Sequence, residues 1–384
     1  MRILVTGAAG QIGSDLVPFL ARRLAPGAVL ATDVRLPPPS TATTATPTTT
    51  LDCTDAAAFT SLAQQHRATH IVHLAALLSA RCEADPELAI RVNSRGTEAA
   101  LAAARAQGAA LLLPSTIGVY GLSAQTRDSP SSDDPTADPG RPATLYGVTK
   151  AYAEGLGGWY GRRHGVDFRA LRLPGVLSAT APGGGTTDYA LHMLECAVDG
   201  VMMELRGKKG RQQQRHQQSQ PPALPPYRCF VAADVALPFM HASDTLAAFW
   251  RLLVAPRSQL SRPVYNVSAV TATPEDWRRA FERAARRRLG DDDKTTTGPP
   301  LLPVVYAPDH RDAIARSWPS ALDCSAAARD WGYAALVGDV DALAERLLEE
   351  RLAAKEAMVV AAAEVPALAA AAALRAPPAV AVAA

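Results

Sequence analysis

Tyr146 and Lys150 stand four residues apart in Tyr146-Gly-Val-Thr-Lys150, at the start of a run with helical spacing. Positions i and i+4 share one helix face, so a phenol and an ammonium lie side by side. A neighbouring cation favours phenolate and is expected to bring the tyrosine pKa down from about 10 towards working pH. A phenolate so placed is a general base for an alcohol proton. A hydroxyl partner lies upstream, where Leu113-Pro-Ser-Thr116 ends an apolar run and precedes Val119-Tyr-Gly121. Ser115 and Thr116 both qualify by position, and the residues alone do not choose between them. Tyr-x-x-x-Lys arises often by chance, so its meaning depends on what comes before it.

What comes before it is Thr6-Gly-Ala-Ala-Gly-Gln-Ile-Gly13, which follows the apolar Ile3-Leu-Val5 and opens a helical run. Gly7, Gly10 and Gly13 allow a tight turn, close backbone approach to a pyrophosphate, and packing of helix on strand. The helix N-terminus then presents free N–H groups to the phosphates. Asp33 closes the next apolar run about 20 residues after the last glycine, where a carboxylate accepts hydrogen bonds from ribose hydroxyls and repels a 2′-phosphate. That favours NAD over NADP, although Arg35 is a candidate phosphate partner two residues on. Asp52 is expected either near an adenine amino group or as a turn acid or helix cap.

The elements that must position these groups alternate. Strands are expected at Arg2–Thr6, Val29–Thr32, His70–Leu74, Ala110–Pro114 and Phe168–Leu173. Helices are expected at Ser14–Arg23, Ala56–His66, Pro86–Gln107 and Tyr146–His164, with Pro37–Thr50 a Pro/Thr-rich connection. Such alternation implies right-handed βαβ units and a parallel sheet. The second half is less regular. Thr187–Gly200, Ser243–Ala255, Pro274–Leu289 and a stretch within Asp339–Lys355 read as helices, and Val264–Ser268 as a strand. Thr273 is the expected N-cap of the third of these helices. The Gln- and Pro-rich 207–226 is expected to be a disordered loop.

Composition narrows the partners. Thirty-nine basic and 37 acidic residues leave a formal charge of +2 on 384 residues. That balance offers no basic surface for nucleic acid or an anionic membrane. The five cysteines, Cys53, Cys82, Cys196, Cys229 and Cys324, show no C-x-x-C spacing, so reduced thiols are expected and no metal site. No secretory signal or membrane span is read. The compartment expected by default is the cytoplasm, or the mitochondrion if a presequence is missing. Fourteen of the last 24 residues are alanine, and a side chain that buries so little area is a poor core former, so this apolar fraction is expected to lie outside the core.

The glycine pattern, the Ser/Thr before Val-Tyr-Gly, and Tyr-x-x-x-Lys together resemble the extended short-chain dehydrogenase/reductase superfamily. Further segments narrow the likeness to the short-chain type of L-threonine 3-dehydrogenase. They include His73-Leu-Ala-Ala-Leu-Leu-Ser-Ala80, Pro182-Gly-Gly-Gly-Thr-Thr-Asp-Tyr-Ala190, Tyr265-Asn-Val-Ser268 and Ala313-Ile-Ala-Arg-Ser-Trp-Pro319. The resemblance covers about residues 1–351, apart from the insertion. It implies an α/β fold: a Rossmann-type doubly wound parallel sheet (1–178 with about 237–270) carrying a smaller substrate-binding domain (179–236 with 271–351), then a low-complexity tail, 352–384.

It also implies roles. Thr116 is selected over Ser115 as the partner of Tyr146 and Lys150, and Tyr120 becomes structural. The NAD contacts are Gly7, Gly10, Gln11, Ile12, Gly13, Asp33, Val34, Arg35, Asp52, Cys53, Leu74, Ala75, Ala76, Asn93, Tyr146, Lys150, Pro174 and Val176. The substrate contacts are Ser79, Thr116, Tyr146, Gly184, Thr186, Thr187 and Asp188, with Asp188 either accepting the substrate ammonium or capping the next helix. Trp318 and His73 are expected to pack rather than to act. The expected activity is oxidation of the 3-hydroxyl of L-threonine to 2-amino-3-oxobutanoate by a homodimer. A nucleotide-sugar epimerase or dehydratase, or a non-catalytic NAD-binding sensor, are the alternatives. The chain departs from the pattern at 207–226, in the long 123–142 stretch, and at His241, where a tyrosine is expected.

Overall fold

The computed structural model describes residues 1–36, 46–121, 142–178, 185–213, 224–290 and 300–374. Its first half runs β1 (Ile3–Thr6), α1 (Gln11–Ala21), β2 (Val29–Asp33), β3 (Thr48–Thr50), α2 (Ala56–Gln65), β4 (His70–His73), α3 (Ser79–Ala84), α4 (Pro86–Ala89), α5 (Gly96–Gln107), β5 (Ala110–Thr116), α6 (Leu145–His164), β6 (Phe168–Leu173) and β7 (Gly175–Leu177). There follow α7 (Tyr189–Gln213), β8 (Tyr227–Cys229), β9 (Leu237–His241), α8 (Ala242–Val254), β10 (Val264–Asn266), β11 (Val270–Ala272), α9 (Pro274–Leu289), β12 (Val304–Tyr306), α10 (His310–Arg316), α11 (Ser325–Trp331) and α12 (Val340–Leu374).

Seven strands form one parallel sheet in the order β10-β6-β5-β4-β1-β2-β3. Ile3, Leu4 and Val5 are buried, as befits a strand covered on both faces. Chain progression reverses between the neighbours β1 and β4, so a crevice opens beyond their C-terminal ends, where ligands bind in open α/β sheets. One face of the sheet is covered by α1, α8 and α11, through Leu16, Leu20, Phe249, Leu252 and Trp331. The other is covered by α2, α5 and α6.

That second face shows where alanine does serve as core. Ala99, Ala100, Ala103 and Ala104 of α5 are buried against α2 and the sheet. Short side chains let the helix lie close, so alanine is core wherever two backbones approach.

A second core gathers α7, α9 and α12 around Met193, Leu194, Trp277, Phe281, Leu343 and Leu347. Trp277 stacks on Phe281 with ring centres 5.5 Å apart. The helix α9 begins at a capping box, Thr273 with Asp276, and ends at Gly290 in the left-handed conformation (φ 77°). The small sheet β11-β9-β7 contributes to both cores, with Phe239 in this one and Met240 in that of the main sheet, while β12-β8 packs on this core.

Several expectations change. The long helix expected over Pro86–Gln107 is interrupted by a wider π turn, Ile90–Arg95, which turns Asn93 inward. Thr48–Thr50 is an edge strand paired with β2, because β-branched threonines suit an extended edge. Within 237–268 only β10 joins the main sheet, while β9 pairs with β7 and β11. The helix expected to end at Gly200 runs to Gln213, so 207–213 is helical, while 214–223 lies outside the described residues. The last helix continues to Leu374, and Leu352 is the last deeply buried side chain among the described residues.

Candidate active site

The dinucleotide half of the cleft is shaped by backbone. Gly7 has φ +69°, and a Cβ there would lie 2.6 Å from the amide nitrogen of Ala75. A Cβ on Gly13 would lie 2.3 Å from the carbonyl oxygen of Gly7. Only glycine fits at either point. Gly10 is the N-cap of α1; no side chain caps this helix and no carboxylate stands in its first turn. Its N-terminus is therefore open to an anion. These features fit a pyrophosphate group.

Asp33 is anchored for the ribose role. One carboxylate oxygen accepts from the Ala9 amide (3.0 Å) and the other from Arg35 (3.2 Å). Its neighbour Val34 is 61% exposed, open to a planar base. Asp52 serves its own turn: Oδ1 accepts from the Thr54 amide and hydroxyl (2.9 and 2.8 Å), and the amide bond above all holds its pKa below the usual carboxylate range. The helix cap nearby is Asp55. Burial pushes the Cys53 thiol up to about 11, so that side chain packs and does not react.

Asn93 spends its amide on structure. It accepts from the Leu77 amide (2.8 Å) and donates to the Leu77 carbonyl (3.1 Å) and the Thr149 hydroxyl (3.2 Å). This ties the segment after β4 to the catalytic helix. His73 is buried, with Nδ1 2.8 Å from the Thr6 hydroxyl. Burial lowers its pKa to about 3, so it is a neutral packing group.

Thr116, Tyr146 and Lys150, the side chains expected to handle an alcohol, come from β5 and α6. Thr144 caps α6 by accepting from the Gly147 amide (3.1 Å). A Cβ on Gly147 would lie 2.2 Å from the Gly118 carbonyl, so this glycine lets the first turn of α6 press on the turn after Thr116. The motif reading passed over Gly147 as a packing position, although it sits inside Tyr146-Gly-Val-Thr-Lys150.

The choice between Ser115 and Thr116 is made by partners. The Ser115 hydroxyl donates to Glu154, which is bound at two points by Arg172, with Nη2–Oε2 at 2.7 Å and Nε–Oε1 at 3.0 Å. Arg172 Nη1 also donates to the Tyr120 hydroxyl (2.7 Å), which donates to Asn266 (2.9 Å). Tyr120 and Ser115 thus belong to a buried brace that joins α6 to β5, β6 and β10. Thr116 Oγ1, which accepts from the Gly118 amide (3.1 Å), is the hydroxyl left for the cleft.

The Lys150 ammonium donates to the Pro114 carbonyl (2.8 Å) and lies 5.8 Å from the centre of the Tyr146 ring. Both side chains lie deep in the site. Burial lowers the lysine pKa to about 8 and pushes the Tyr146 phenol above its ordinary value. The expected lowering of the tyrosine is therefore not what this form displays: desolvation outweighs an ammonium at that distance, directed elsewhere.

Thr186, Thr187 and Asp188 form the turn before α7 and face the same cleft, as does Ser79 at the start of α3. The Asp188 carboxylate folds back to accept from the Gly185 amide (2.8 Å), and burial raises its pKa. The bond runs to the turn and not into the helix, so Asp188 does not cap α7 with its side chain. Gly184 lies outside the described residues.

The cleft holds about 250 Å³ and brings together Gly7, Gly10, Gln11, Ile12, Gly13, Leu74, Ala76, Ser79, Thr116, Tyr146, Lys150, Pro174, Val176, Thr186, Thr187 and Asp188. Asp33, Val34, Arg35, Asp52, Cys53, Ala75 and Asn93 do not line it. Leu78, Ile117, Gly175 and Trp318 also line it, so Trp318, expected to pack, borders the cleft as well, and Ser115 reaches it beside Thr116.

A family profile described as the NAD dependent epimerase/dehydratase family matches residues 3–268. The chain belongs to that family. Within the NAD dependent epimerase/dehydratase family it is similar to the mitochondrial L-threonine 3-dehydrogenase of Bos taurus. The two are 36% identical over 334 residues, 86% of this chain and 78% of the bovine protein. The structure of L-threonine 3-dehydrogenase from Trypanosoma brucei superposes with a TM-score of 0.75 at 34% identity, covering 91% of this chain and 96% of that one. UDP-glucose 4-epimerase of Thermus thermophilus, in complex with NAD, shares the fold at 22% identity (TM-score 0.67, 91% and 99% covered). NAD is the cofactor of this family member, and the glycine cradle, the open N-terminus of α1 and Asp33 fit it. No described helix is long and apolar enough to cross a membrane.

Proposed function

We propose that this protein is an L-threonine 3-dehydrogenase that oxidises the 3-hydroxyl of L-threonine to 2-amino-3-oxobutanoate. One observation carries the reading: Thr116, Tyr146 and Lys150 share a cleft with both the Gly7–Gly13 cradle and the polar turn of Thr186, Thr187 and Asp188. The first group handles an alcohol. The second suits a small zwitterion, with Asp188 accepting from its ammonium and Ser79, Thr186 and Thr187 donating to its carboxylate.

Thr116 and Tyr146 hold the substrate oxygen, and Tyr146 takes its proton. Lys150, whose ammonium lies 5.8 Å from the centre of the Tyr146 ring, supports the phenolate by its charge. NAD+, when bound, accepts the hydride from C3. Asp33 holds the adenosine ribose through its anchored carboxylate, and Lys150 is the ammonium available to the nicotinamide ribose.

The test is NADH formation from L-threonine, with L-serine, L-allo-threonine and UDP-glucose as comparators. Turnover with L-threonine is expected, and none with the sugar nucleotide. Silence with L-threonine overturns the reading.

The assembly we propose is a homodimer through first-domain helices. Val148, Tyr152 and Trp159 line one face of α6 at 42–48% exposure, and Ile90 stands near it at 49%. Large apolar side chains grouped on one face suit a partner surface. Sedimentation at twice the chain mass is the expected result. We place the protein in a reducing compartment, the cytoplasm by default, which agrees with five unpaired cysteines.

A further inference from the structure

We infer that Trp318 is a specificity-determining residue: its indole walls the cleft beside Thr116 and meets whatever group C3 of the substrate carries besides the hydroxyl. The inference rests on the L-threonine reading above and names the substrate class it implies, 2-amino-3-hydroxy acids with a short apolar substituent at C3.

Trp318 and Tyr146 are the two aromatic residues among the described residues that line the cleft, and Tyr146 is committed to the hydroxyl. Trp318 arrives from the second core, where it is 6% exposed among Ile117, Trp277 and their neighbours. Its position is locked from behind. The Trp318 amide donates to the Ala315 carbonyl (3.1 Å), and the buried Ser317 hydroxyl donates to the Ile314 carbonyl (2.6 Å).

Gly118 lies between the two side chains, at ordinary contact distance from each. A Cβ at this residue would stand 3.5 Å from Thr116 Oγ1 and 3.6 Å from Trp318 Nε1, so hydroxyl and indole flank the same point. An alcohol held by Thr116 has its C3 substituent one bond from the reacting carbon. The cleft offers that substituent Trp318, Ile117 and Leu78, while the polar turn of Thr186, Thr187 and Asp188 takes the charged end. An indole supplies a broad, rigid apolar wall with little conformational entropy to lose.

One methyl in an apolar pocket is worth about 10- to 200-fold in kcat/KM. The wild-type protein is therefore expected to prefer L-threonine over L-serine by at least about tenfold. In Trp318→Ala that ratio should fall about tenfold, and L-threo-3-phenylserine should become a substrate, while the KM for NAD+ stays within about twofold. Trp318 also packs the second core, so Trp318→Phe and Trp318→Leu are measured beside it, with circular dichroism as the folding control. They should give intermediate threonine-to-serine ratios.

If the wild-type protein forms no NADH from L-threonine, the functional reading fails. If it does, but the folded variants keep the wild-type ratio and refuse the bulkier acid, the wall fails and the functional reading stands.

Discussion

The cofactor half of the cleft is made of backbone, and the substrate half is made of side chains. On one side Gly7, Gly10 and Gly13 shape a surface where an added methyl group would strike a carbonyl or an amide. On the other, Ser79, Thr116, Tyr146, Asp188 and Trp318 arrive from five separate places in the chain. A backbone site depends on which residues can be absent of a side chain, and it is local. A side-chain site depends on how distant segments pack. The two halves should therefore fail in different ways when altered.

The largest separation is expected from Tyr146→Phe. Loss of the general base should lower kcat by about 10²- to 10⁴-fold. NAD+ binding, read by quenching of protein fluorescence, should survive, and substantial residual turnover would break the assignment.

Gly13→Ala should do the reverse. Its Cβ would lie 2.3 Å from the Gly7 carbonyl, and overpacking of this kind costs about 1–3 kcal/mol, seen as a KM for NAD+ raised about 10- to 100-fold. The KM for L-threonine at saturating NAD+ should move little.

Asp188→Asn sharpens the other side. A hydrogen bond to a charged group is worth about 1.5–3 kcal/mol, so the KM for L-threonine should rise by one to two orders of magnitude with NAD+ binding intact.

The pH profile probes the pair between the halves. Burial brings Lys150 down to about 8 and pushes Tyr146 up. Tyr146 must lose its proton to act as a base, so kcat/KM should climb with pH and level off only above 8. In Lys150→Met only the raised phenol remains, and the break should move to higher pH.

The smallest effect is expected from ending the chain at Lys355. Among the described residues the last deeply buried side chain of α12 is Leu352, and the ion pairs of Lys355 with Glu195 and Asp199 are kept. Stability should change by no more than about 0.5 kcal/mol in thermal unfolding. A large loss of folding would make the alanine-rich end part of the second core.

Much of the fold was legible because its signals are short-range. The β1–Gly-rich turn–α1 unit, the alternation through β6, and the Thr273 cap all come from residues within a few positions of one another. The edge strand β3, the small sheets and the wide turn at Ile90–Arg95 were not legible. A three-residue strand has no period to detect, and a π turn differs from an α-helix by one backbone bond per turn. The alanines of α5 are core for a reason of the same kind: their role is set by the helix they face.

In the site, the residue types that handle an alcohol and a dinucleotide were readable from Tyr146, Lys150, Gly7, Gly10, Gly13 and Asp33. Local chemistry dictates those spacings, i and i+4 on a helix face or glycine in a strand-to-helix turn. Tertiary structure alone decided three things. It committed Ser115 to Glu154 and left Thr116 to the cleft. It desolvated Tyr146 and Lys150, and for the phenol that effect outweighs the ammonium's pull. It carried Trp318 from the second core to the side of Thr116. Each depends on desolvation or on contact between residues far apart in the chain, and neither quantity is encoded in local spacing.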